Sequence, residues 1–248
     1  MDKRKEEILK SIISDYIDRK APVSSSALQR KHNFDLSTAT LRNEMFDLEE
    51  EGFLEQPHTS AGRIPSDRGY RYYIDNLMPD REIEGQEEYI LKKKIIEYKN
   101  RYGEVTKTIT KILASETGGL AISTIIKKKE IYNCGIAELL KEPEFSRSND
   151  FCSVVSLCDF LDDNIDKVSE ATKGKEVQIY IGQENPLIEV ENCSMVISNF
   201  QKGNERGFIA LIGPKRMKYD RNVSLINYLT KILSGGGFVF IILVYSGV

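Results

Sequence analysis

Leu36–Leu77 reads LSTATLRNEMFDLEEEGFLEQPHTSAGRIPSDRGYRYYIDNL, and the fold turns on this stretch. Ser37 is an N-cap, its hydroxyl placed to take a free N–H of the first turn. Leu41, Met45 and Leu48 recur at i, i+4 and i+7 and line one helical face, and Gly52 follows as a C′ residue. At about 100° per residue the opposite side carries Ala39, Asn43 and Glu50, with Thr40, Arg42 and Phe46 beside them. Thr, Arg and Asn hydrogen-bond base edges, and a small Ala lets a helix approach a groove closely. Asp47, Glu49, Glu50 and Glu51 crowd the far end and would repel phosphate, so entry into DNA falls to the N-terminal half. Taken alone, the same pattern also describes an ordinary surface helix.

The residues that follow add to the DNA reading. His58–Arg63 is a small, polar loop with one cation, flanked by Pro57 and Pro65, and Arg68, Tyr70, Arg71, Tyr72 and Tyr73 come after it. That order fits a β-wing whose Arg and hydroxyl groups reach the sugar-phosphate backbone. Before Leu36, an apolar stripe of Leu9, Ile12, Ile13, Tyr16 and Ile17 makes Asp2–Lys20 a helix, which Ala21-Pro22-Val23 breaks. Ser24, Ser25 and Ser26 offer caps for a short helix through Lys31, and Asn33-Phe34-Asp35 turns into the recognition helix. This is the order of a helix-turn-helix, with Leu28, Phe34, Leu41 and Met45 expected to share a core with the first helix.

With 248 residues, 40% hydrophobic and 29% charged, the chain can build two modest cores. Its net charge of −3 argues mildly against a non-specific nucleic-acid binder, although the acids lie mostly outside the His58–Arg63 loop and the start of the recognition helix. Cys134, Cys152, Cys158 and Cys193 form no CxxC pair, and His32 and His58 are the only histidines, so buried free thiols in a reducing cytoplasm are expected. The charged N-terminus does not read as a signal peptide.

Beyond a linker from Met78 to Gly85, Leu91, Ile95, Tyr98, Tyr102, Val105, Ile109 and Ile112 follow a heptad seam. Two readings stay open: a helix pairing two chains, or one packing on its own domain. Gly103 weakens either by about 1 kcal/mol. Strands are expected at Leu120–Ile126, Val177–Gly182, Ser194–Phe200 and Gly207–Ile212, with Lys127–Glu130 a solvated turn and Gly203-Asn204 a hairpin turn. Helices are expected at Val154–Val168 and Arg216–Leu233.

Ser37-x-Ala39-Thr40-Leu41-Arg42-Asn43-Glu44-Met45, Gln56–Arg63 with Pro65-Ser66, and Gly69-Tyr70-Arg71 closely resemble the HrcA family of heat-inducible transcription repressors. Tyr180-Ile181-Gly182-x-Glu184-Asn185-Pro186 and Gly213-Pro214-x-Arg216-Met217-x-Tyr219 extend the resemblance. It implies an α+β chain: a winged helix-turn-helix over residues 1–80, a linker or dimerisation helix over 81–116, and a GAF-like regulatory domain over 117–248. That last domain is shortened near Thr124–Lys129. The end, from Gly235 to Tyr245, departs from the family's polar helical tail, and its apolar run is far short of the ~20 residues a membrane helix needs.

The resemblance further implies a homodimer on an inverted-repeat operator upstream of chaperone operons, in the cytoplasm at the nucleoid. It also implies modulation by a chaperonin, while the residues themselves lead us to expect no cofactor, metal or membrane. Thr40, Arg42 and Asn43 are expected to read bases, with Ala39 allowing close approach and Thr38 near the backbone. Ser24, Thr59, Ser60, Arg63 and Arg71 are expected to anchor phosphates. Against an enzyme, the chain has no HExxH, no GxxxxGK[ST] and no Ser/His/Asp set. Asp159–Glu170 lacks the ligands of a calcium loop. The alternatives are a ligand- or protein-binding GAF-like sensor module and a defective, shortened repressor.

Overall fold

The computed structural model describes residues 1–145, 156, 164–171, 177–184 and 192–236. The chain separates into two compact units. The first is Met1–Pro79 with Lys215–Tyr219, and the second is Asp80–Pro214 with Asp220–Val248.

In the first unit, α1 (Lys3–Arg19), α2 (Ser25–His32) and α3 (Thr38–Glu50) precede a short antiparallel pair, β1 (Leu54–Glu55) and β2 (Ile64–Pro65). Each helix starts on a side-chain cap: Asp2 accepts from Lys5 N at 2.9 Å, Ser24 from Ala27 N at 3.2 Å and Ser37 from Thr40 N at 3.0 Å. The end of α3 satisfies its last carbonyls through two bonds, Gly52 N to Glu49 O and Phe53 N to Leu48 O, with Gly52 at φ +78°. Ile8, Leu9, Ile12, Ile13, Leu28, Leu41, Met45 and Leu48 are buried together with Phe53 and Leu54. Phe34, expected in that core, is only half-buried, because the turn holding it carries its ring out beside His32.

The Tyr- and Arg-rich segment is helical. Helix α4 (Asp67–Tyr72) runs into a π-helical turn at Tyr73–Leu77, so the hairpin strands end at Pro65. Ser66 explains the switch: its hydroxyl caps Gly69 N at 3.0 Å and donates to Gly52 O at 2.6 Å.

In the second unit the expected single seam helix is two helices, α5 (Gly85–Tyr102) and α6 (Val105–Thr117). Gly103 does more than weaken the helix. It adopts φ +76°, its N–H closes on Lys99 O at 2.8 Å, and the chain turns. Leu91 and Ile95 of α5 and Ile109 and Ile112 of α6 are all buried within the single chain.

Five antiparallel strands follow, β3 (Leu120–Ile125), β4 (Glu130–Cys134), β5 (Gln178–Ile181), β6 (Cys193–Lys202) and β7 (Glu205–Pro214), in the order β4-β3-β7-β6-β5. Sequence reasoning missed β4, a short edge strand that directly follows the Lys127–Lys129 turn. Gly203-Asn204 makes the two-residue turn between Lys202 and its partner Glu205, with Gly203 at φ +58°.

One sheet face, with Leu120, Ile122, Met195, Ile197, Phe208, Ala210 and Ile212, packs with Leu139 of α7 (Ile136–Leu139), Phe145, and Ile165 and Val168 of α8 (Ile165–Ala171). On β3, the alternate residue Ser123 meets Thr110 of α6 through their hydroxyls. Helix α9 (Tyr219–Leu233) closes the described chain, with Arg221 binding Glu116 and Glu87. Only Ile165–Ala171 of the helical region expected to begin at Val154 is described as a helix element, and the tail from residue 237 lies outside the described residues.

Candidate nucleic-acid interface

Helix α3 positions five of the sequence-derived site residues. Ala39, Arg42 and Asn43 are exposed, and Thr38 and Thr40 are half-buried. The Thr40 hydroxyl lies 2.9 Å from the Ser37 hydroxyl, so the cap residue also orients Thr40. Phe46, one turn beyond Arg42, is 52% exposed.

Three of the four acids of α3, Glu44, Asp47 and Glu49, and the C-cap Glu51 sit in ion pairs that sequence reasoning missed, while Glu50 is exposed. Arg4 binds Glu44 at 3.2 Å, Lys5 reaches Asp47 at 3.5 Å and Glu51 at 2.6 Å, and Arg63 binds Glu49 at 2.7 Å. The bond to Glu51 raises the Lys5 ammonium's pKa, so its charge is held in place. The only hint in the sequence was the pair Arg4-Lys5 opening α1, and only the packing of α1 on α3 gives it meaning. These pairs reduce the repulsion that four acids would offer a phosphate chain.

Arg63, expected to anchor phosphate, is paired within the DNA-free chain. Its side chain is 16% exposed and held by Glu49. Its backbone pairs with Val23 in both directions at 2.9 Å, tying the loop to the α1–α2 connection. Gly62 permits this approach, since a Cβ there would sit 2.3 Å from Val23 O. Ser24, the exposed cap of α2, thus lies beside the base of the loop.

At the other end Gln56 Nε2 holds Thr59 O at 3.1 Å and Ala61 O at 3.0 Å, leaving Thr59 and Ser60 exposed at a braced tip. Arg71 stands on α4, half-buried, with Asp75 at 3.3 Å. Arg68 lies over the Phe53 ring, 4.6 Å from its centre. The structure thus joins α3, the α2 cap and the loop base, and leaves Arg71 on a separate helix.

Beneath the α1–α2 pair, Asp15 is fully buried, with Lys31 Nζ at 2.6 Å and His32 Nε2 at 2.9 Å from its carboxylate. Burial alone would push this carboxyl up. Bonds from Lys31 and His32 outweigh it and hold the group below the ordinary carboxylate value. Among the described residues, no three His, Cys, Asp or Glu gather as a metal site, and no helix is long and apolar enough to cross a membrane. Cys193 is buried and Cys134 half-buried, both as free thiols.

These features define the class: a two-unit α+β protein whose first unit offers a capped polar helix face beside a braced loop, and whose second carries a helix-covered antiparallel sheet. The family model described as the HrcA protein C-terminal domain matches residues 70–223. The heat-inducible transcription repressor HrcA of Acetivibrio thermocellus is 30% identical, covering 92% of this chain and 94% of its own. Its namesake from Desulforamulus reducens is 29% identical over 94% and 96%. The chain belongs to the HrcA family.

The first of these alignments runs over 332 positions against the 248 residues here, so it crosses positions where the relative has residues and this chain has none. A crystal structure of a hypothetical protein at 2.2 Å resolution shares the fold, with a TM-score of 0.75 over 95% of this chain and 98% of its own at 20% identity.

Proposed function

We propose that this chain is a sequence-specific DNA-binding repressor of heat-shock chaperone operons, acting as a dimer on an inverted repeat and modulated by a chaperonin. Its first unit works as a winged helix-turn-helix, its second as a shortened GAF-like regulatory domain, and its setting is the cytoplasm at the nucleoid. Repression comes from occupying promoter DNA, with no chemistry and no cofactor. The reading rests chiefly on the α3 face: exposed Ala39, Arg42 and Asn43 on a helix whose acids are largely paired.

Arg42 and Asn43 present groups that form bidentate contacts with guanine and adenine, Ala39 allows close approach, and Thr38 and Thr40 add hydroxyls. Ser24, Thr59 and Ser60 supply backbone contacts from the α2 cap and loop tip, with Arg71 a further phosphate contact from α4. Arg63, paired with Glu49 in the DNA-free chain, is a further phosphate contact at the base of the loop.

Binding of the purified chain to a duplex carrying the inverted repeat upstream of its chaperone genes, against a scrambled duplex, tests this directly. We expect at least ~10³-fold preference for the repeat, and sedimentation of the complex with two chains per duplex. Equal affinity for both duplexes would replace this reading with that of a defective repressor.

A further inference from the structure

Among the described residues four large apolar side chains stand exposed: Met1, Phe46, Tyr89 and Ile90. Phe46, at 52%, is the most exposed of them and the one on α3. On the helical wheel it falls about 20° from Ala39, about 40° from Arg42 and about 60° from Asn43, inside the polar face. The exposed half of the aromatic side chain forgoes the gain that apolar burial supplies.

We propose that Phe46 is a specificity-determining residue whose ring packs on a thymine 5-methyl group in the major groove. The proposal rests on the DNA-reading role of α3. Of the groups that base pairs present in the major groove, the thymine methyl is the apolar one, and Phe is among the side chains that contact it. Phosphate offers the ring no apolar partner, and a contact with sugar carries no dependence on the thymine methyl.

The surrounding charges favour entry of this part of the helix. Glu44, Asp47 and Glu49, within three residues of Phe46, are each paired to Arg4, Lys5 or Arg63. Glu50, one turn further on the same face, sets the limit of approach to phosphate. Phe46 lies about 6 Å along the axis beyond Arg42, or one to two base steps of about 3.4 Å. The thymine therefore falls within about two pairs of the one Arg42 reads.

The test uses the full chain and the tightest duplex selected from a random-sequence pool. Each thymine is replaced in turn by deoxyuridine, which removes only the methyl. The unsubstituted chain should lose about fourfold in affinity at one or two positions per half-site, the ratio for one methyl-sized group returned to water.

Phe46→Ala should bind the thymine duplex more weakly and be indifferent to uracil at those positions, whereas Phe46→Leu should keep part of the discrimination. Unchanged far-ultraviolet circular dichroism confirms that the variants fold. The proposal is overturned if Phe46→Ala discriminates thymine from uracil as the unsubstituted chain does. It is also overturned if Phe46→Ala loses affinity equally for both duplexes, as a protein–protein role of the ring would produce. If the pool yields no enriched duplex, the DNA-reading role itself fails, an outcome distinct from either.

Discussion

Helix α3 and the α5–α6 pair begin from the same kind of pattern, an apolar stripe at helical spacing with charge around it, and end differently. On α3 the stripe of Leu41, Met45 and Leu48 is consumed by the first unit's core, and the opposite face stays open with Ala39, Arg42, Asn43 and Phe46. On α5–α6 the stripe looks long enough to pair two chains. Gly103 folds it in two, and Leu91, Ile95, Ile109 and Ile112 are buried inside one chain. An amphipathic stripe shows that a face will be covered. What covers it depends on whether the helix continues.

Charging the α5–α6 stripe is the severest test of this contrast. Ile95→Glu with Ile109→Glu puts two carboxylates into fully buried positions, and each should cost ~3–5 kcal/mol. We expect the second unit's urea transition to disappear or shift far down. A variant that keeps the full transition and merely sediments as a smaller species would return the seam to a two-chain role.

On α3 the same number of substitutions should leave stability within about 0.5 kcal/mol, since Arg42 and Asn43 are exposed. Arg42→Ala and Asn43→Ala should instead lower operator affinity by ~1–3 kcal/mol each while sparing random-sequence binding. If Arg42→Ala weakens both equally and flattens the salt slope by about one unit, it holds phosphate rather than a base.

The smallest expected effect is at the turn between the helices. Gly103→Ala places a Cβ at φ +76° and should destabilise the second unit by ~1 kcal/mol, read as a lower urea midpoint. A stabilising result would mean that the turn straightens toward one continuous helix.

Local chemistry carried much of this protein into its sequence. Ser24 and Ser37 as caps, Gly52 as a terminator and Gly203-Asn204 as a turn each depend on neighbours a few residues away, so the chain order states them. The polar face of α3 was legible for the same reason.

Tertiary structure alone decided the rest. The pairing of Arg63 with Glu49 spans fourteen residues, and nothing local announces that Val23 and Gly62 bring the loop base to α3. The neutralisation of Glu44, Asp47 and Glu51 depends on Arg4 and Lys5, some forty residues earlier in the chain. Backbone propensity and capping act over a turn or two of chain, and spacing can display them. Charge pairing and burial act through space, and only the packed fold determines which groups come within reach.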